Sequence, residues 1–429
     1  MFLVSVLLVG TKSVARDRPN LLYIMVDDMG FADLSCYGRK EYKTPNIDAL
    51  AEAGMMFTQA YAAAPVCTPT RVAFMTGRYP ARNPIGLHEP LTMAPEHLAM
   101  GLDPSLPTLS SLLKQAGYET ALIGKWHLGF APEYLPLRHG FDYFFGITAG
   151  GADYVDHKYA NDEVTLYEND LPVERVGYLT DLLGQAAVDL ILRKRELPFF
   201  LSLQFTAPHW PWQGPGDPAY EAGAGFKTGG SAATYARMMH SLDDNIGKVI
   251  QAVKESGEYE NTLIIFTSDN GGEMYSGMGP FRGRKFHLLE GGIRVPAIAV
   301  WPRIIRPGTA TSQVAITMDW TATLLEAAGI TAKSTALDGI SLLSQFEGGK
   351  VSQRTLYWRT TQRTNQGALR RGDWKYLKTE EGEFLFNLAD DPGESRDLKM
   401  PEGRTFRKLR SAWARLNSEM LSPVPLIDD

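Results

Sequence analysis

Four mostly apolar runs in this chain each end in charged or hydrogen-bonding side chains, and that pattern limits the fold more tightly than anything else. Leu21 to Val26 leads into Asp27-Asp28, and Ala121 to Gly124 into Lys125-Trp126-His127. Phe199 to Phe205 leads into Thr206-Ala207-Pro208-His209, and Leu263 to Phe266 into Ser268-Asp269-Asn270. Short runs that stay apolar, instead of alternating, read as strands buried on both faces, the condition of a parallel sheet. Helical stretches lie between them: Pro45 to Ala53, stopped by Gly54, and Leu109 to Ala116, stopped by Gly117. The alternation predicts a layered α/β fold. In such sheets ligands gather outside the carboxyl ends of the strands, so one site is expected to collect all four polar clusters.

At 429 residues the chain exceeds one typical domain, and two unequal ones are expected: a catalytic domain over 19–335 and a small α+β domain over 336–429. The texture changes near 335, where β-prone runs such as Thr355 to Trp358, Trp374 to Leu377 and Phe384 to Asn387 precede a helical stretch from Thr405 to Met420. They predict an antiparallel sheet with a terminal helix. A net charge of −6 argues against nucleic acid as a partner. Cys36 and Cys67, the only cysteines, build no disulfide framework. Met1 to Gly10 is almost wholly apolar and Ser13-Val14-Ala15 offers small residues at signal-peptidase spacing, so residues 1–18 are read as an export segment, leading to the periplasm or medium. The stretch is too short to span a bilayer, and no stable membrane insertion is expected. Gly223 to Ser231 reads as a glycine-rich loop.

The most specific chemistry lies in Cys67-Thr68-Pro69-Thr70-Arg71, followed by Val72 to Met75 and Thr76-Gly77-Arg78. Thr68 as N-cap and Pro69 as first helical residue predict that a helix opens here. Arg71, four residues after Cys67, would turn its guanidinium toward the sulfur, at a helix end that favours anions. Asp27, Asp28 and Asp269, with the amide oxygen of Asn270, offer four oxygen donors from two strand ends. That set suits a hard divalent cation, and Ca²⁺ tolerates irregular coordination better than Mg²⁺.

The run Cys-x-Pro-x-Arg followed by Thr-Gly-Arg resembles the signature of the type I sulfatases, in which the cysteine is oxidised after translation to formylglycine. Gly124-Lys125-Trp126-His127-Leu128-Gly129 resembles the family's second signature, Pro208-His209 has its counterpart, and Lys285 before Glu290-Gly291-Gly292 matches a late active-site lysine, with Arg284 adjacent as a competitor. Asp390-Asp391-Pro392-Gly393-Glu394 matches a turn of the family's C-terminal domain. The resemblance is to the arylsulfatase and N-acetylgalactosamine-6-sulfatase branch. It implies an alkaline-phosphatase-like α/β/α large domain with a smaller C-terminal antiparallel sheet plus helix. It also implies calcium bound by Asp27, Asp28, Asp269, Asn270 and the formylglycine at Cys67, made by a formylglycine-generating or sulfatase-maturating enzyme.

The mechanism so implied has one hydroxyl of the hydrated aldehyde attack sulfur while His209, helped by Lys285, protonates the departing alcohol. His127 then takes the proton of the second hydroxyl and inorganic sulfate leaves, with Arg71, Lys125 and Lys285 supplying positive charge. Some relatives offer a serine to the sulfate where this chain has Gly150. Asp153 and His157, in Gly151 to His157, are candidate ligands for sugar hydroxyls, and Trp210, Trp212 and Trp358 candidate stacking surfaces. The leading expectation is a calcium-dependent sulfatase acting on a sulfated carbohydrate or aryl sulfate. The alternatives are a phosphomonoester or phosphonate hydrolase of the same superfamily, and a non-enzymatic sulfated-glycan-binding protein.

Overall fold

The computed structural model describes residues 18–159, 163–220, 229–331 and 336–424. The expected export segment 1–18, apart from Arg18, and most of the glycine-rich stretch 223–231 lie outside the described residues.

The large sheet contains β1 (Asn20–Val26), β2 (Met55–Tyr61), β3 (Glu119–Gly124), β4 (Tyr143–Ile147), β5 (Leu166–Glu168), β6 (Leu171–Pro172), β7 (Phe199–Gln204), β8 (Thr262–Ser268), β9 (Arg294–Val300), β10 (Thr309–Thr311) and β11 (Ala315–Ile316). Across the sheet the order is β10-β2-β9-β8-β1-β7-β3-β4-β5-β6, with β11 beside β2. The strands β8, β1, β7, β3 and β4 are mutually parallel, as the unbroken apolar runs predict.

Side-chain alternation along β1 builds two cores. Leu22, Ile24 and Val26 face a layer that includes Ile47, Leu183 and Leu242, from the helices Pro45–Ala53, Leu179–Leu192 and Ala232–Glu255. Leu21, Tyr23 and Met25 face the opposite layer, with Val72, Leu113 and Leu324 from Cys67–Thr76, Leu109–Gln115 and Thr317–Ala327. The result is the α/β/α sandwich. Each fully buried aliphatic side chain contributes about 1.5–3 kcal/mol of transfer free energy, so both faces of β1 are strongly fixed. With the central strands anchored from both sides, their carboxyl ends form a stiff platform.

Pro296 lies inside β9, a central strand, where a residue without an N–H is ordinarily excluded. The β2–β9 register shifts between Phe57 and Ala60 at this point, and the bulge removes the need for a donor.

The small sheet is an antiparallel meander of β12 (Thr355–Thr360), β13 (Gln366–Arg371), β14 (Trp374–Thr379) and β15 (Gly382–Asn387). One face packs Leu369, Tyr376 and Leu385 against Leu409 and Ala412 of the closing helix Gly403–Ser418. The other packs Trp358, Ala368 and Leu377 onto Tyr61, Ala73 and Ile316 of the large domain. Sheet and helix match the sequence expectation, with β13 added. Among the described residues no helix is long and apolar enough to cross a membrane.

Candidate active site

The register of the parallel strands brings the polar clusters to one edge. Val26 pairs with Ser268, Met25 with Gln204, and Gly124 with Gln204, so β1, β8, β7 and β3 end at nearly the same level. The backbone continues this alignment beyond the strands: Asp27 N–H donates to Ala207 O, Asp269 N–H to Val26 O, and Lys125 N–H to Gln204 O.

The side chains converge accordingly. Lys125 Nζ donates to Asp27 Oδ2 at 2.5 Å, and Lys285 Nζ to Asp28 Oδ2 at 2.8 Å. Asn270 Nδ2 donates to Asp28 Oδ1 at 2.7 Å, while Asp269 Oδ1 accepts from Asp28 N–H at 3.2 Å. His209 Nε2 stands 3.6 Å from Asp28 Oδ2. Asp28 and His127 hold φ of 64° and 57°, in the left-handed region, where backbone strain is tolerated when the surroundings over-determine it. Lys285, not its exposed neighbour Arg284, is the cation of its loop that reaches the carboxylates.

Cys67 opens its helix. The helix begins at Cys67 with Val66 as N-cap, two residues before the start predicted from Thr68 and Pro69. Pro69 still falls within the first four residues, whose N–H groups lack partners inside the helix. The Thr68 hydroxyl is drawn elsewhere, donating to His127 O at 3.4 Å and accepting from Leu91 N–H at 3.2 Å. Arg71 is buried, and its guanidinium is engaged by the protein itself. Its Nη2 lies 3.0 Å from Asp269 Oδ2 and 3.6 Å from Asp27 Oδ2, and Nη1 donates to Lys125 O and Gln204 Oε1. It braces the carboxylates where an open anion clamp was expected.

Charge distribution follows from this packing. Burial alone would raise the Asp27 pKa, but Lys125, His209, Arg71 and Lys285 together hold its carboxyl well below the usual range. Burial raises Asp28 despite Lys285, and burial with Asp27 beside it pushes Asp269 up to about 7. Burial works against the Lys285 ammonium, and Asp28 more than restores it. Burial, with Lys125 beside it, keeps His127 far below the ordinary histidine value; burial does the same to His209, opposed by Asp27. The Cys67 thiol is raised by burial, so an unaltered sulfur here is protonated and a poor nucleophile.

Two buried oxygens, Asp27 Oδ1 and Asn270 Oδ1, have no hydrogen-bond partner. Asp27, Asp28 and His209 each place a ligand atom within 4.8 Å of the others. Orphaned oxygens beside the raised carboxyls of Asp28 and Asp269 fit a hard cation, since unsatisfied buried acceptors are costly otherwise.

The remaining predicted residues fall elsewhere. Asp153 is buried, and its oxygens accept from Val155 N–H, Asp156 N–H, Gln213 Nε2 and Tyr220 N–H at 2.7 to 2.9 Å. His157 Nε2 bonds Gly177 O at 2.9 Å. Asp153 thus has both oxygens engaged around its own loop, and His157 is anchored through Nε2 to the Gly177 carbonyl. Trp358 is buried with its indole N–H on Ala62 O, and Trp212 packs edge-on to Tyr275, so neither offers a stacking face. Trp210 lies against His209, ring centroids 4.3 Å apart. A Cβ at Gly150 would stand 2.8 Å from the His127 ring, which explains why a serine side chain has no room there. Gln204, which supports Arg71, was missed; its only mark in the sequence is a polar residue interrupting an apolar run.

The family model for Sulfatase matches residues 19–330. The chain belongs to the sulfatase family. It is a sulfuric ester hydrolase, as its relatives are. This sulfatase is 35% identical over 369 residues to the N-acetylgalactosamine-6-sulfatase of Homo sapiens, covering 81% of this chain and 69% of the relative. It is 30% identical over 532 residues to the steryl-sulfatase of Mus musculus, with 95% and 83% covered. The crystal structure of Ps i-CgsB in complex with k-i-k-neocarrahexaose superposes with a TM-score of 0.85 at 29% identity, covering 96% of the sulfatase and 95% of that chain.

Proposed function

We propose that this sulfatase removes sulfate from sulfated carbohydrates, using a formylglycine derived from Cys67 and Ca²⁺ held by Asp27, Asp28, Asp269, Asn270 and that modified side chain. The observation that carries the reading is the pair of partnerless buried oxygens, Asp27 Oδ1 and Asn270 Oδ1, beside Lys125 and Lys285 at the mouth of the Cys67 helix. Similarity to an N-acetylgalactosamine-6-sulfatase and to a protein solved with a neocarrahexaose supports a carbohydrate substrate. Oxidised Cys67 supplies a hydrated aldehyde as nucleophile, and the cation supplies charge for the sulfate oxygens.

The protein's own groups do the rest. Lys125 and Lys285 place two ammonium groups where negative charge accumulates, preorganised by Asp27 and Asp28. Arg71 keeps Asp269 in place. His127 directs Nε2 at the Leu91 carbonyl, 2.8 Å away; a carbonyl only accepts, so the proton sits on Nε2 and Nδ1 is left as the base. His209 directs Nδ1 at Trp210 O, so Nε2 is the atom that must first take up a proton before it can pass one to the departing alcohol. Near-complete burial of Cys67, His127 and His209 excludes bulk water. A maturating enzyme and export through the N-terminal segment complete the reading.

The test combines peptide mass spectrometry across Cys67, calcium content, and turnover of sulfated saccharides and aryl sulfate against matched phosphate esters. Aldehyde at position 67, bound calcium and preference for sulfate are expected. Full turnover by protein carrying an unmodified thiol would sink the proposal.

A further inference from the structure

Hydrogen bonds from the small domain reach both sides of the site, though none of its residues belongs to the cluster. Glu89 accepts from Thr361 N–H at 2.9 Å and Gln362 N–H at 3.0 Å, and its own N–H donates to Gln362 Oε1 at 2.6 Å. Two residues on, Leu91 accepts from His127 Nε2 and donates to the Thr68 hydroxyl, so one short segment joins the small domain to His127 and to the neighbour of Cys67.

On the opposite side, Gln366 Nε2 donates to Phe286 O at 3.2 Å, and Gln366 Oε1 accepts from Leu288 N–H at 2.8 Å. The Thr364 hydroxyl adds a second bond to Phe286 O at 3.1 Å. Phe286 follows Lys285 directly and stands at φ 72°, a conformation that needs such support. Its N–H donates to Pro65 O, two residues before Cys67. The hairpin between β12 and β13 is closed on itself by the Thr360 hydroxyl bonding Thr364 O at 2.6 Å.

We infer that the hairpin turn Thr361 to Gln366 is a clamp that positions the active site, with Glu89 setting the His127 ring through Leu91 and Gln366 setting Lys285 through Phe286 and Leu288. The inference rests on the roles proposed above for His127 and Lys285. Glu89 and Gln366 are positioning residues; neither touches the reacting atoms. The Leu91 carbonyl fixes which His127 nitrogen holds the proton, so displacing it changes the base and not merely its surroundings. A hairpin held by one domain and bonded to two loops of the other makes the small domain part of the catalytic apparatus.

The test uses matured, calcium-loaded full-length protein with 4-nitrophenyl sulfate. Glu89→Ala is expected to lower kcat about 10- to 100-fold with KM within about threefold, as for other groups that orient a ligating or catalytic residue. Glu89→Gln should recover most of kcat, because one amide oxygen can accept from both Thr361 and Gln362. Gln366→Leu should lower kcat and accelerate hydrogen exchange at the Leu288 amide, and Glu89→Ala should accelerate it at Leu91. A Glu89→Ala kcat within about twofold of the parent, a loss confined to KM, or unchanged exchange at both amides overturns the clamp. Should Glu89→Ala fail to fold, Gln366→Leu and Thr364→Ala decide by the same readings. If the parent does not turn over the sulfate, the proposed chemistry has failed, while the exchange data still judge the clamp.

Discussion

Asp28 and Lys285 are joined at 2.8 Å across 257 residues of sequence. The bond ties the end of β1 to the loop before β9, so the charge balance at the strand ends depends on a segment that the small domain grips. Lys285→Met therefore removes a cation and frees a buried carboxylate together. It should reduce kcat/KM by about 10²–10³-fold, the cost of deleting one preorganised electrostatic group, as measured by steady-state kinetics on an aryl sulfate.

His209 should matter in proportion to how badly the alcohol leaves. His209→Ala is expected to slow sugar sulfates by about 10²–10⁴-fold, the range for a positioned proton donor, and activated aryl sulfates much less. A series of leaving groups reads this directly; equal losses across the series would remove His209 as the acid.

Cation affinity should depend on the orphaned oxygens. Asp27→Asn and Asn270→Ala are each expected to weaken Ca²⁺ binding by at least about tenfold, measured by calorimetry on the full chain. Retention of parental affinity by both variants would exclude the strand-end oxygens as ligands.

Gly150→Ser should damage the enzyme even though it supplies a hydroxyl. The new Cβ would lie 2.8 Å from His127 and must displace its ring. Lower kcat with an intact melting temperature is expected; a gain in kcat would show that the ring has room.

Glu394 and Glu89 should each contribute stability that declines between weakly acidic and neutral pH, while the buried, neutral His127 and His209 act in the opposite direction. Burial, only partly countered by Lys375, pushes Glu394 from 4.5 up to about 7, and burial raises Glu89 to about 7. With folded values above the unfolded one, the native state binds more protons between these pH values, so its stability is greatest below about 4.5 on this account and falls as pH rises through 7. Glu290 acts in the other direction at lower pH: burial opposes it, but Lys375, Arg294 and Arg370 hold it down at about 2, and its contribution is lost as pH falls from 4.5 toward that value. Thermal melts of the parent and Glu394→Gln compared from pH 5 to 8 isolate the carboxyl: the stability of the parent relative to the variant should fall as pH rises toward 7.

The parallel strands and the convergence of Asp27, Lys125, His209 and Asp269 were legible because apolar runs ending in polar residues leave few alternatives. The Cys67 helix was legible too, but its first turn was misplaced: Thr68 resembles a cap locally, whereas its hydroxyl is claimed by His127 and Leu91, contacts that no local pattern encodes. β13 was not read, since Gln366-Gly367-Ala368-Leu369-Arg370-Arg371 has no β-branched residue and becomes a strand by pairing on both sides. The internal partners of Asp153 and His157 were not legible, because polar residues in a glycine-containing loop carry no mark of which neighbours they bond. Arg71 was expected to face an anion, and only the packed strand ends reveal that its partner is Asp269.

Burial of Cys67, with only 2% of its surface exposed, orders events in the life of the molecule. The modifying enzyme proposed above would need to reach the residues around the sulfur, and in the folded protein Thr68, Pro69, Thr70 and Arg71 are all packed inside. Access therefore closes once the helix docks between β1 and Thr317–Ala327. If Cys67 is converted as proposed, maturation and folding compete for the same stretch of chain, and a chain that folds first would keep its thiol sealed inside.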